Sequence, residues 1–557
     1  MIKDFNQLQS AKFDLVVVGG GIHGATVAYE ASRAGYRVAL LEKGDFAGST
    51  SANSLKIVHG GIRYLQHGDF KRMRESIVSR RRMMTLAPHL VKPLRCLMPT
   101  YGHGIKGREM MRLAFAVYDI IAFDRNKGLS TENHLPCSSA ISRDEVKWVV
   151  PGIAEKGLSG GAIWHDAIAL DTERLVLEYL KEAVRHGAVV ANYAEVSEVV
   201  MTDDDRVSAV MVHDLQTGRK LRVSCLTVVN AAGPWLEQLA GRGAQSGVQL
   251  WATALNIVVK KPLFEKYAVG LEGYTDFTDK DALIKRGKRL FFFVPWQEKY
   301  TMIGTTYTPF EGDAADFSMA RAEVAAVLED INKIYPTGHL TMEDVTFFHA
   351  GLLPIKEADV GKADSVQLDK SSMIIDHAAL EGRNGLFSIK GVKYTTAPDI
   401  ADKMVKILAE DKWLGKRPQG SYITLPPRNL DFAPAITRLG GEYEAIRNHL
   451  MARYGSGWRE VFGIIVQRCP ANEGESPWLS LEPPLLVAEL LYFIHEEMAA
   501  TLADVVFRRS NLAVAECPAR ELLSRAAGIM GDELHWGEGE SERQIAQVEK
   551  VFQILKN

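Results

Sequence analysis

The sequence predicts an α/β protein in which a parallel-sheet domain is interleaved with a mixed-sheet domain, and an all-helical domain follows toward the C-terminus. Three observations predict it. A strand, glycine turn, helix and second strand occupy residues 14–45. Two further strand–turn–helix units, at 226–241 and 385–408, look like pieces of the same sheet. Beyond the proline-rich break TLPPRNLDFAP at 424–434, helical periodicity takes over.

The opening unit reads DLVVVGGGIHGATVAYEASRAGYRVALLEKGD. Residues 15–18 read as a central strand, 25–34 as a helix and 36–41 as a second buried strand. Gly19 permits the sharp turn, Gly21 lets a ligand approach the backbone, and Gly24 lets helix and strand pack closely. Glu42 ends the second strand, where an acid can hold both hydroxyls of a ribose. The helix N-terminus adds unpaired N–H groups and a partial positive charge for a pyrophosphate. Four glycines alone also suit an ordinary α/β turn; the ordered set points to a Rossmann-like dinucleotide site.

The second unit, LTVVNAAGPWLEQLAG, is a strand, a small-residue turn ending on Gly233 and a helix entered through Pro234. The third, GLFSIKGVKYTTAPDIADKMVKIL, is a strand, a turn at Gly391 and a helix. Between them, RLFFFVPWQEKYTMIGTT reads as two antiparallel strands joined through 297–299. The chain thus leaves the nucleotide domain and returns. In the C-terminal region, PLLVAELLYFIHEEMAATLADVVFRRSNLA reads as two helices.

The composition excludes several classes. The 557 residues suffice for about three or four domain-sized units. A formal net charge of −3 supplies no field for nucleic acid, and no partner of that kind is expected. Five scattered cysteines without a CxxC spacing suggest a reducing compartment and no metal site. The N-terminus lacks the apolar stretch of a signal peptide, which predicts a cytoplasmic protein.

Just past Glu42 lies GSTSANSLKIVHGGIRYLQHGDFKRMRES. A nicotinamide enzyme has no need of a second hydroxyl- and glycine-rich segment here. A flavin dinucleotide does, because its ring system lies far from the adenine. Thr50, Ser51 and Ser54 can donate to phosphates, Lys56 can neutralise them, and Gly60 and Gly61 admit backbone close to the ring. A solvated serine-rich loop is the plainer reading, but Lys56, His59, Arg63 and Tyr64 at close spacing argue against it.

With SLKIVHGGIRYL, NAAGPW, FVPW, IGTT, GLLP, IKGVKYTT and EEMAATLADVVFRRSNL in place, the chain resembles the FAD-dependent glycerol-3-phosphate dehydrogenases and oxidases over nearly its whole length. The resemblance implies a Rossmann-like FAD-binding domain (about 12–80, 150–250 and 345–425) and a mixed-sheet substrate domain (about 81–149 and 251–344). Together these make an oxidoreductase region over 1–425, followed by a helical domain over 430–557. It implies hydride transfer from a polyol phosphate to flavin N5, with electrons passing on to quinone or oxygen. Arg63, Lys370 and Lys393 would then hold the phosphate with help from Tyr64. The helix after Thr395 would point its N-terminus at the flavin N1–C2=O edge. His59 either accepts the alcohol proton or only positions the flavin.

Four substrate-side positions depart from the family pattern. Leu353 and Pro398 stand for arginines, Asn256 for a histidine and Tyr307 for an aspartate, while Lys370 replaces an arginine. They keep two alternatives open: an amine or amino-acid oxidase of the same superfamily, or a catalytically silent flavin protein. Residues 106–123, KGREMMRLAFAVYDIIAF, read either as a buried helix or as one lying in an interface. Quinone-reducing members of the family are peripheral membrane enzymes, so the resemblance adds peripheral contact with the cytoplasmic membrane.

Overall fold

The computed structural model describes residues 1, 3–102, 108–240, 250–278, 286–357, 366–369, 371–415, 417, 431–468 and 476–556. The first sheet has the strand order Met373–Asp376, Leu386–Lys390, Lys220–Asn230, Lys12–Val18, Val38–Leu41, Val189–Ala191. Of the five pairings along this order four are parallel, and the one at the Met373–Asp376 edge is antiparallel. Leu15, Val16 and Val17 are wholly buried, as a strand covered on both faces must be. Leu15 and Val17 pack under the helices Ile22–Arg33, Thr172–Arg185 and Ala397–Glu410, against Ala28, Leu180 and Met404. Val16 and Val18 face the other way, onto Val196, Val210 and Val212 of a meander built from Ala194–Met201 and Val207–Asp214.

The second sheet runs Val345–Glu357, Leu250–Val259, Tyr300–Phe310, Arg286–Trp296, Ala268–Thr278, Val91–Tyr101, Leu158–Ala169, Ile57–Val58. Arg286–Trp296 and Tyr300–Phe310 form the expected hairpin, with Gln297 and Glu298 in the left-handed region at φ 48° and 58°. One face buries Ile257, Phe293 and Ile303 under the helix Arg321–Ile334. The other buries Val258, Val294 and Met302 against C-terminal residues including Leu490, Val505 and Phe552.

Three strands fall on the other side of the boundaries drawn from sequence. Ile57–Val58, Leu158–Ala169 and Val345–Glu357 all join the second sheet. An apolar run announces a strand but not the sheet it will join. In the C-terminal region the two expected helices become one helix, Val487–Glu497, and a six-residue π-helical turn, Asp504–Arg509. A short hairpin, Trp478–Leu481 with Pro484–Leu486, also interrupts the helices there.

The basic, apolar stretch at 106–123 forms the helix Arg108–Ile121. Phe115 and Tyr118 are buried, while Leu113, Ile120 and Phe123 are 62%, 73% and 80% exposed. Among the described residues, no helix is long and apolar enough to cross a membrane.

Candidate active site

The glycine turn has the geometry its spacing predicts. Gly19 sits at φ 105°, and a Cβ there would lie 2.6 Å from the Ala231 carbonyl oxygen. A Cβ on Gly24 would collide with the Gly19 carbonyl, so helix and strand touch through bare backbone. Gly21 is the N-cap of the helix Ile22–Arg33. The Ile22 N–H donates to Ser51 Oγ at 3.0 Å, which brings the hydroxyl-rich loop onto the helix N-terminus. Glu42 accepts the Gly20 N–H at 2.6 Å and the Gly44 N–H at 2.7 Å. Burial pushes its carboxyl up in pKa, and those two donors pull against the shift.

Two buried polar atoms border this turn without a protein partner among the described residues, His23 Nε2 and Trp235 Nε1. The His23 ring fills the space beside Gly391, where a Cβ would lie 2.5 Å from Cε1. Burial lowers the His23 pKa to about 4, so the ring is neutral at physiological pH. Trp235 follows Gly233, which is at φ 57°, and lines a cleft with Pro234, Ser49, Asn53, Gly351 and Leu352. A cradle closed to any side chain, an acid fixed at the end of the second strand and two buried ring nitrogens without a protein partner among the described residues fit a dinucleotide such as FAD.

The loop between Gly48 and Ser54 is more constrained than its composition suggests. Thr50 Oγ1 donates to the Leu352 carbonyl at 3.0 Å, and Ser54 Oγ accepts the Lys56 N–H at 3.2 Å. Lys56 corrects the sequence reading. Its ammonium is buried and donates to Thr172 Oγ1 at 2.8 Å and to both oxygens of Glu173, at 3.1 and 2.9 Å. A charge so paired is not available to a phosphate; it anchors the loop to the start of the helix Thr172–Arg185 instead.

The HGGIRYL turn follows. The His59 backbone N–H donates to Thr395 Oγ1 at 3.2 Å, joining the turn to the segment that leads into the helix Ala397–Glu410. Burial, then the nearby Lys393 ammonium, lowers the His59 pKa to about 4. The Gly60 N–H donates to Asp166 Oδ1 at 2.5 Å, and Gly61 is left-handed at φ 77°. Tyr64 is buried, its pKa raised by burial to about 12. Its hydroxyl accepts from Lys393, whose ammonium also stands 4.3 Å from the ring centroid. Arg63 is exposed on the short turn Ile62–His67.

Beneath this turn lie groups that carry no sequence motif. Asp166 is buried and accepts Arg80 Nη1 at 2.6 Å on one oxygen and Trp164 Nε1 at 2.8 Å on the other. Arg80 is fully buried too, and a Cβ on Gly60 would strike it and the Tyr118 hydroxyl. The aspartate therefore fixes the turn through the Gly60 amide, and the arginine fixes the aspartate.

The departing positions sit on the second sheet and on the helix Ala397–Glu410. Leu353 stands opposite Ala252 in the antiparallel pairing of Val345–Glu357 with Leu250–Val259. Asn256 is buried and accepts Thr305 Oγ1 at 2.6 Å. Tyr307 lies under the Arg289 guanidinium at 5.4 Å, and Pro398 is in the first turn of its helix. Lys370 lies outside the described residues.

Comparison with known proteins places this arrangement. Residues 14–391 match the family model "FAD dependent oxidoreductase", and residues 430–541 match "C-terminal domain of alpha-glycerophosphate oxidase". The chain is 28% identical to a glycerol-3-phosphate dehydrogenase of Synechocystis sp., covering 99% of this chain and 98% of that one. It is 27% identical to the mitochondrial glycerol-3-phosphate dehydrogenase of Schizosaccharomyces pombe, over 96% and 86% of the two chains. The solved glycerol-3-phosphate dehydrogenase of Bacillus halodurans, complexed with FAD, superposes with a TM-score of 0.72 at 25% identity, over 99% and 96% of the two chains. The chain belongs to the FAD-dependent oxidoreductase family, and is a glycerol-3-phosphate dehydrogenase-like flavoenzyme.

Proposed function

We propose that this enzyme oxidises sn-glycerol 3-phosphate, or a closely related polyol phosphate, to the ketone. The observation that carries the reading is the convergence of His59, Tyr64 and Lys393 beside the dinucleotide cradle. Bound FAD would supply a hydride acceptor for the alcohol carbon and a route for the electrons to quinone or oxygen. The protein's own part is to hold the substrate and manage one proton. Lys393, steadied by the Tyr64 hydroxyl and ring, supplies positive charge for a phosphate. Arg63 stands in the same turn, exposed and able to reach an anion with two donors. His59 is neutral at physiological pH and offers a lone pair to the alcohol hydroxyl. A pKa near 4 suits it to orient the hydroxyl more than to retain its proton.

The names of the relatives support the same substrate class. Steady-state oxidation with a dye acceptor tests it. sn-Glycerol 3-phosphate should be turned over far more efficiently than glycerol or glycine; a preference for glycine would replace this reading with an amino-acid oxidase.

Exposed Leu113 and Ile120 of the helix Arg108–Ile121, with Phe123 just past its end, suit peripheral contact with a membrane surface, where a quinone would be met. The enzyme should then sediment with anionic vesicles. Ile120→Glu combined with Phe123→Glu should release it without lowering Tm, whereas a charge at buried Phe115 should unfold it.

A further inference from the structure

The motif EEMAATLADVVFRRSNL has no part in the site described so far, yet it reaches the cofactor loop from 464 positions away in sequence. Asp45 lies three residues after Glu42, in the loop that runs on to Ser51. Its carboxylate is buried and accepts Arg509 Nη1 and Nη2, both at 2.7 Å, Arg508 Nε at 2.6 Å and Asn192 Nδ2 at 3.0 Å. The two-pronged Arg509 contact fixes direction as well as distance. Arg509 is itself held by the Glu497 carbonyl at 2.8 Å, and the Glu497 carboxylate accepts both Nη groups of Arg174, at 2.8 and 2.5 Å. Burial alone would raise the Asp45 pKa, but the two arginines outweigh it and bring it down to about 2.

The loop so gripped is tied to the nucleotide turn on both sides of Asp45. Before it, Glu42 takes the Gly20 and Gly44 amides. After it, the Ala47 N–H donates to the Gly20 carbonyl at 3.0 Å and Ser51 Oγ meets the Ile22 amide. A displacement of Asp45 would therefore move the ribose acid and the hydroxyls that face the helix N-terminus.

We propose that Asp45, Arg508 and Arg509 form a clamp through which the C-terminal helical domain sets the affinity for FAD, acting by positioning the 42–51 loop. None of the three is a catalytic residue. The inference rests on the family's cofactor and not on the identity of the substrate, so substrate kinetics do not enter its test.

The test is the rate of FAD release from full-length holoenzyme, followed by the rise in free-flavin fluorescence below the unfolding transition. Asp45→Asn and Arg509→Lys keep shape or charge while breaking the fork, and should speed release by about ten- to a hundredfold. Leu523→Ala, in the helical domain's own core and away from the loop, should lower Tm and leave release unchanged. Wild-type release rates in Asp45→Asn and Arg509→Lys would overturn the clamp, as would equal acceleration by Leu523→Ala. Hydrogen exchange on the wild-type chain decides the matter even where a variant fails to fold. Coupling is reciprocal, so FAD should protect amides at 497–510 together with those at 43–51. Protection confined to 43–51 would overturn the proposal.

Discussion

The two walls of the site are built on different physics. The cofactor wall is held by backbone: Gly19 and Gly24 approach other main chain too closely for any side chain, and Glu42 is fixed by two amides. The wall we propose for the substrate is held by side chains brought from distant segments, Tyr64 with Lys393 and, beneath them, Arg80 with Asp166. A wall made of backbone tolerates almost no substitution but can bind one shape of ligand in many proteins. A wall made of side chains can be retuned one residue at a time.

Breaking the backbone wall should have the largest effect. A Cβ on Gly21 already lies 3.0 Å from Ser51 Oγ, so Gly21→Val forces the helix N-terminus and the hydroxyl loop apart. The variant should purify without flavin, read from its visible absorbance; a full flavin complement would mean the dinucleotide does not lie on this turn. Next comes Asp166→Ala. It strips the acceptor from Gly60, Trp164 and Arg80, and leaves a fully buried guanidinium uncompensated, a loss of about 3–5 kcal/mol. Denaturant unfolding should record that loss, and an unchanged midpoint would show that Arg80 finds another partner.

The same contrast explains what the sequence made legible. Gly19 and Gly24 announce a backbone site because a side chain at either would strike main chain, and the acid at the end of the second strand falls at the expected spacing. Side-chain pairings carry no such mark. Lys56 looked free in SANSLK because its partner, Glu173, is 117 residues away, and Asp166 lies in a strand with no motif at all. The amphipathic pattern at 106–123 was equally plain, but only packing shows that Phe115 faces inward and Ile120 outward. EEMAATLADVVFRRSNL is one of the segments that carry the family resemblance, yet its partner Asp45 is met only in the fold.

On the substrate wall the expected effects are smaller. Arg63→Ala removes one charged contact to an anion, about 1.5–3 kcal/mol. KM for the phosphate substrate should rise by about ten- to a hundredfold while FAD remains bound. An unchanged KM would place the anion on Lys393 without help from Arg63.

Smallest of all is the expected effect of mild acid on catalysis. The folded-state pKa of His59 is depressed from 6.5 to about 4, so the neutral ring persists well below neutrality. The His59 limb of the kcat/KM profile should therefore fall near pH 4, with none near 6.5. Stability behaves differently. Because His23 and His59 are both depressed, the unfolded chain binds more protons between pH 6.5 and 4, and the stability these groups contribute above pH 6.5 is lost across that window. Unfolding at a series of pH values separates this loss from the catalytic limb.

We expect the side-chain wall to present a polyol phosphate to the cofactor held by the backbone wall. Anaerobic rapid mixing of the holoenzyme with sn-glycerol 3-phosphate tests it in a single turnover, with no added electron acceptor. The flavin absorbance should bleach with sn-glycerol 3-phosphate and stay unchanged with glycine or other amines. Bleaching by an amine alone, or by none of these compounds, would contradict a polyol phosphate as the substrate.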